Sequence, residues 1–196
     1  MMLIKKIRFA KSEAGFTFIE LMVVISLIAI ISAIAYPPFL SMRARYRLKA
    51  VAREVFTVLQ VNKMRAVKES SITAVIFNQA SASYQVCFSR GASDWADPSD
   101  NICNDTIALD PAVRMTRGNA PLRAPKDTLS YDDLTYSSGI AGFFQDGTGF
   151  EGNQTRISGA RYVYISSLNS PEVYAIGTNR VGLVQLYVWT GGASWK

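Results

Sequence analysis

Gly15 and Glu20 stand five residues apart, at the head of a stretch that is otherwise almost wholly apolar: GFTFIELMVVISLIAIISAIAYPPFL, residues 15–40. A carboxylate in hydrocarbon costs several kcal/mol unless a cation meets it. Glu20 therefore either sits at headgroup level, where charge is tolerated, or has a partner. Other residues with chemistry in them are few. Histidine is absent, which removes every Ser/His and Cys/His pair and a frequent metal ligand. The remaining carboxylates are scattered through loop-like sequence and form no acid/base pair, so no catalytic residue, resident metal or cofactor is expected and the chain is not read as an enzyme. Cys87 and Cys103 flank the segment FSRGASDWADPSDNI. They are too few for a zinc site. Asp94, Asp97, Asp100 and Asp105 make calcium conceivable, but the spacing is no EF-hand. Gly147-Thr148-Gly149-Phe150-Glu151-Gly152 fits G-x-G-x-x-G, yet NQTRISGARYVYIS after it reads as strand, where a dinucleotide site needs a helix. Asp146-Gly147 reads as a turn.

The element that holds Glu20 is set by length and hydropathy. Phe16 to Tyr36 is long enough to span a bilayer as a helix, about 20 residues. No small-residue cleavage site follows it, as a cleaved secretory signal would require; Pro37 and Pro38 do. The net charge of +6 is unevenly spread. Residues 1–15 carry +3, residues 16–40 carry −1, residues 41–70 carry +6 and residues 71–196 carry −2. Basicity on both sides of an apolar run suits a membrane-flanking segment better than a nucleic-acid-binding domain. The cations before the run are expected to stay cytoplasmic, with the rest of the chain outside.

KSEAGFTFIELMVVISLIAIISAIA, residues 11–35, resembles the class III leader and N-terminal helix of type IV pilins and type II secretion pseudopilins. The resemblance implies cleavage after Gly15 by a prepilin peptidase, which then N-methylates Phe16. It implies an assembly role for Glu20, whose carboxylate would neutralise the N-terminal amine of a neighbouring subunit. Pro37 matches a proline common in the family's helix. The partners so implied are other minor and major pilins or pseudopilins, the peptidase, and the inner membrane before assembly. The head would lie in the periplasm until the subunit enters a pilus or pseudopilus.

The chain then divides into a leader (1–15), a transmembrane and assembly helix (16–40), an amphipathic stem helix (41–70) and a β-rich head (71–196). Pro37 and Pro38 lack donors and clash with the preceding turn, so the helix is expected to kink, melt or end there. Leu48, Val51, Ala52, Val55, Leu59, Asn62 and Ala66 recur at spacings of three and four and should pack on a following sheet. The cluster Arg43 to Arg53 has three readings: a solvated face, a contact with acidic groups on other subunits, or a surface for anionic lipid or DNA. A single helix over 16–70 would be about 80 Å long.

Past Ser70 the apolar period changes to two. Residues 72–78 and 83–89 read as a hairpin turning at 79–82; further strands are expected near 128–131, 142–146, 155–158, 161–166, 172–178 and 181–189. A long helix followed by antiparallel strands is an α+β pattern, here the pilin fold. In an exported head Cys87 and Cys103 would meet an oxidising space, which favours a disulfide over two free thiols. The order of stem, hairpin, FFQDGTGFEG and the turn Gly177-Thr178-Asn179-Arg180-Val181-Gly182 resembles the GspH/FimT (FimU) group of minor pilins and pseudopilins. That implies a minor type IV pilin that primes assembly at or near the tip, or a type II secretion pseudopilin H. Some members bind DNA for natural transformation through arginines in the C-terminal tail. Here only Lys196 follows Arg180, which argues against DNA; Trp189 and Trp195 could stack on bases or cap a core.

Overall fold

The structure is a computed structural model that describes residues 15–89, 101–120, 124–125, 133–192 and 194–196. It resolves into two compact units, one ending at Leu40 and one beginning at Ser41. One helix assignment, α1 (Phe18–Glu69), runs through both. The assignment does not end at Pro37 and Pro38, so of the three outcomes expected there, a kink, local melting or an end, the last does not occur. Two prolines remove two backbone donors, yet neighbouring turns can carry the helix across when nothing else competes for those residues. The C-terminus closes as a Schellman turn: Ser70 is left-handed (φ 47°), and the Ser71 N–H donates to the Ala66 carbonyl at 3.1 Å.

The first unit is the apolar half of α1, and its large side chains are exposed throughout. The second unit holds the rest of α1 and, among the described residues, eleven strands. All seven stripe residues, Leu48, Val51, Ala52, Val55, Leu59, Asn62 and Ala66, are buried. Asn62 tolerates burial because its amide donates to the Val58 carbonyl at 2.8 Å, while its own carbonyl accepts from the Thr73 hydroxyl at 3.0 Å. That second bond ties the helix to the first strand.

The strands form two antiparallel sheets. In the first, β1 (Thr73–Asn78) and β2 (Ser83–Ser89) are the expected hairpin, paired from Thr73↔Phe88 to Asn78↔Ser83. Its turn places Ala82 at φ 46°, with its N–H on the Gln79 carbonyl at 3.3 Å. β3 (Asn101–Cys103) and β4 (Ile107–Ala108) pair with β2. The second sheet runs β11 (Val184–Trp189), β10 (Val173–Asn179), β9 (Ala160–Ser167), β5 (Val113–Arg114). β6 (Ile140–Phe143), β7 (Gly149–Glu151) and β8 (Thr155–Arg156) extend the first sheet from β1. The strand expected near 128–131 lies outside the described residues. The one expected at 142–146 is shifted, because a turn begins after Phe144: the Gly147 N–H donates to the Phe144 carbonyl at 2.8 Å.

Every residue of β9 is buried, so it does not show the alternation of a strand with one wet face. One face packs on the main core, where Val163 and Ile165 meet the helix stripe and Val75, Phe143 and Ile176. The other carries Tyr162 and Tyr164 into a second cluster with Ala175, Trp189 and Trp195. β9 and β10 approach so closely at Gly177 that a Cβ there would lie 1.7 Å from the Arg161 carbonyl oxygen. Only glycine fits in that strand position.

Candidate functional site

At the N-terminus the residues singled out by sequence form one helix start. Thr17 is the N-cap: its hydroxyl accepts from the Glu20 N–H at 3.2 Å, and its carbonyl accepts from the Leu21 N–H at 3.2 Å. Glu20 is thus the third residue of the first turn, where a carboxylate faces the positive end of the helix dipole. Thr-x-x-Glu is the sequence of a capping box, with Phe16 and Leu21 at the positions of a hydrophobic staple. Sequence reasoning missed this pattern, although its spacing is a local signal. Glu20 is exposed in this turn. Gly15 has no atom within 4 Å of where a Cβ would be. A side chain there would disturb nothing in the fold.

Beyond this turn, Phe18–Tyr36 is long and apolar enough to cross a membrane, and none of it is buried by the rest of the chain. The polar Ser26 is satisfied inside the helix, its hydroxyl donating to the Met22 carbonyl at 2.7 Å. Five cations lie within 17 residues after the span, at 43, 45, 47, 49 and 53, against four before it at 5, 6, 8 and 11. The bias on which orientation rests is therefore slight.

In the head, Cys87 and Cys103 stand directly opposite each other on β2 and β3 and form a disulfide. It closes a loop of about 15 residues, a link worth roughly 3 kcal/mol in the loop-entropy account. Asp94, Asp97 and Asp100 of the calcium reading lie outside the described residues. Among the described residues no group of three or more His, Cys, Asp or Glu is gathered as metal ligands.

The G-x-G-x-x-G segment forms a turn and strand β7. Asp146 organises the turn. Its carboxylate accepts from the Thr148 N–H at 2.8 Å and lies 3.5 Å from Arg156. The Thr148 hydroxyl and N–H hold its pKa down, aided by the Arg156 charge. The turn meets the second glycine-rich turn of the chain. The Gly149 N–H donates to the Arg180 carbonyl at 3.1 Å, and Gly182 (φ 68°) has no space for a Cβ, which would stand 1.9 Å from the Gly147 carbonyl oxygen. The glycines thus serve chain packing between two turns, a use that motif spacing does not reveal.

Sequence reasoning also missed the most buried charges of the head. Arg161 donates through Nε to Glu151 Oε2 at 2.8 Å, with the two side chains only 4% and 8% exposed. The guanidinium also donates to the Ser158 and Ala160 carbonyls at 3.1 and 3.2 Å, and Glu151 Oε2 accepts from the Ser137 N–H at 3.2 Å. Two opposite charges inside apolar strand sequence were the available signal, since neither could be buried alone. Trp189 is buried and donates to the Gly192 carbonyl at 2.7 Å, and the Trp195 ring lies tilted against Tyr164 with centroids 5.7 Å apart. Trp189 belongs to the second core and Trp195, half-buried, packs against it.

Residues 10–36 match the prokaryotic N-terminal methylation motif. The motif lies on the apolar start of α1, and an antiparallel β head follows that helix in the chain. No curated protein matches the chain. Among solved structures, the minor pseudopilin EpsH from the Type 2 Secretion System of Vibrio cholerae is similar over 76% of this chain and 99% of its own, with a TM-score of 0.46 and 10% identity.

Proposed function

We propose that the chain is a minor type IV pilin, a structural subunit without catalytic activity that helps prime assembly of the filament and sits in or near its tip. In this reading residues 1–15 are a leader, cleaved after Gly15 by a prepilin peptidase that N-methylates Phe16. Residues 16–40 anchor the subunit in the inner membrane and then form the filament core. Residues 41–70 are the stem and 71–196 the periplasmic head. The observation that carries it is the methylation motif on a helix that its own head leaves bare. An apolar surface of that extent requires lipid or other subunits over it. The exposure of Glu20 in the first turn supports a pairing with the amine of a neighbour, which would favour a shared core over lipid.

A type II secretion pseudopilin H would use the same leader, carboxylate and stem. The test is a clean deletion strain in which surface pili are counted and secreted enzymes are assayed side by side. Lost pili with normal secretion is the expected result. Lost secretion with normal pili would transfer the protein to the secretion pseudopilus. Loss of transformation alone would point to the DNA-binding reading, which the single cation after Arg180 disfavours.

A further inference from the structure

Arg43, Arg45, Arg47 and Lys49 occur at every second residue of α1. Such spacing is unusual for a helical binding face. Residues two apart on a helix point about 200° from each other, so successive cations alternate between opposite sides of the axis. A groove of DNA or an acidic patch on one partner would be met by cations spaced three and four apart. Here Arg43 and Arg47 lie on one side and Arg45 and Lys49 on the opposite one, so the cations face both ways from the helix axis. All four are exposed, and the buried stripe of the head begins only at Leu48. Arg47 lies 3.9 Å from Asp110, a loose and exposed pair. Arg43, Arg45 and Lys49 form no ion pair with a described carboxylate. Arg53 adds a fifth exposed cation one turn on.

We infer that Arg43, Arg45, Arg47 and Lys49 form a cationic collar that binds the anionic phosphodiester headgroups of the bilayer the chain spans. The inference rests on the membrane-spanning reading of Phe18–Tyr36. A headgroup layer is the one anionic surface that encircles a helix passing through it. The collar starts seven residues after the span, and apolar Phe39, Leu40 and exposed Met42 fill the sequence between. Tyr46, 61% exposed in its midst, is a residue type suited to that interface. Long cationic side chains reach along the helix to such a layer while their stems cover apolar surface. The collar would fix the depth of the subunit in the bilayer and hold it there until assembly draws it out.

The test uses the full chain in lipid nanodiscs of phosphatidylcholine alone or with phosphatidylglycerol added. Insertion is judged by retention in the discs, and lipid preference by counting the phospholipids that stay bound after detergent exchange. Wild type should retain phosphatidylglycerol over phosphatidylcholine, and salt should weaken that preference. R43Q/R45Q/R47Q/K49Q should still insert with unchanged helicity. Its preference should fall by about fivefold per cation removed. R43K/R45K/R47K should keep it. Equal retention of both lipids by inserted wild type, or an unaltered preference in the Gln variant, overturns the collar alone. Capture of a DNA duplex that disappears in the Gln variant, without lipid preference, reassigns the cations to DNA. Failure of wild type to enter either disc overturns the membrane reading beneath it.

Discussion

The pair Glu151–Arg161 sets what a single residue can cost in this head. Both charges are nearly dry, and their further hydrogen bonds run to backbone groups at Ser137, Ser158 and Ala160. Removing one partner leaves the other charge buried without compensation, at a typical cost of about 3–5 kcal/mol. Glu151→Ala and Arg161→Ala should each lower the denaturant midpoint of the purified protein strongly. Replacing both residues with apolar ones of similar volume should cost less than the two single changes added together. Additive losses would show that the two residues act separately. Nothing in local sequence joins positions 151 and 161, because they sit on different sheets and meet only once the head is folded. Gly15 and Glu20, in contrast, stand out locally, since an interrupted apolar run is a local signal.

At the scale of elements, periodicity did most of the work where an element has one dry face. The stem stripe is the clearest case, since three-and-four spacing named the buried side of α1 residue by residue. Leu59 is fully buried within the stripe and Met64 lies exposed on the far side. Leu59→Ala should cost about 2–5 kcal/mol through lost burial and a residual cavity. Met64→Ala should stay within about 0.5 kcal/mol. Thermal denaturation of the two variants compares them directly, and similar losses would show that the helix packs by another face. Strands β3, β4 and β5 were invisible because two or three residues carry no period. β9 was expected at 161–166 and forms there, although both of its faces are dry. At the proline pair the lost donors weaken the helix, but ending one requires a better alternative for the chain, and the assignment runs on through both residues.

Across the whole molecule, the buried contacts that set stability lie in the head and in the part of α1 packed on it. The head hides several phenols. Burial pushes the Tyr84 hydroxyl up, and its bond to the Glu54 carboxylate at 2.7 Å adds to the shift. Burial also raises Tyr136, against the effect of its bond to Thr178. Tyr174 is raised from 10.0 to about 12, first by burial and then by the charge of Glu172. A group whose folded pKa is raised contributes stability that is complete below its unfolded pKa and is lost as pH rises through the folded one. The head should therefore hold its stability up to about pH 10 and lose it progressively toward pH 12. Tyrosinate absorbance should appear together with loss of structure. Ionisation of all tyrosines near pH 10 in a still-folded head would contradict the burial.

The apolar half of α1 makes no such contribution to the head, since none of the span is buried within the chain. In the proposed reading its free energy is realised against lipid first and other subunits afterwards, so its variants should change location and leave folding alone. Gly15→Val adds a side chain where nothing is within 4 Å, and should leave a folded but unprocessed precursor in the inner membrane. Glu20→Ala keeps the Thr17 hydroxyl bond, which uses only the Glu20 backbone N–H. It should therefore be cleaved normally, with its N-terminal helix intact, and yet enter filaments poorly. Glu20→Gln separates charge from shape, because it keeps the side chain's size and its capping pattern. If neutralising a neighbour's amine drives assembly, the Gln variant should fail as the Ala variant does, measured as the fraction of subunit in sheared filaments against that left in the membrane. If Glu20 serves only at the headgroup level or in the cap, the Gln variant should assemble as wild type. Normal cleavage of Gly15→Val would remove the leader assignment from which both expectations start.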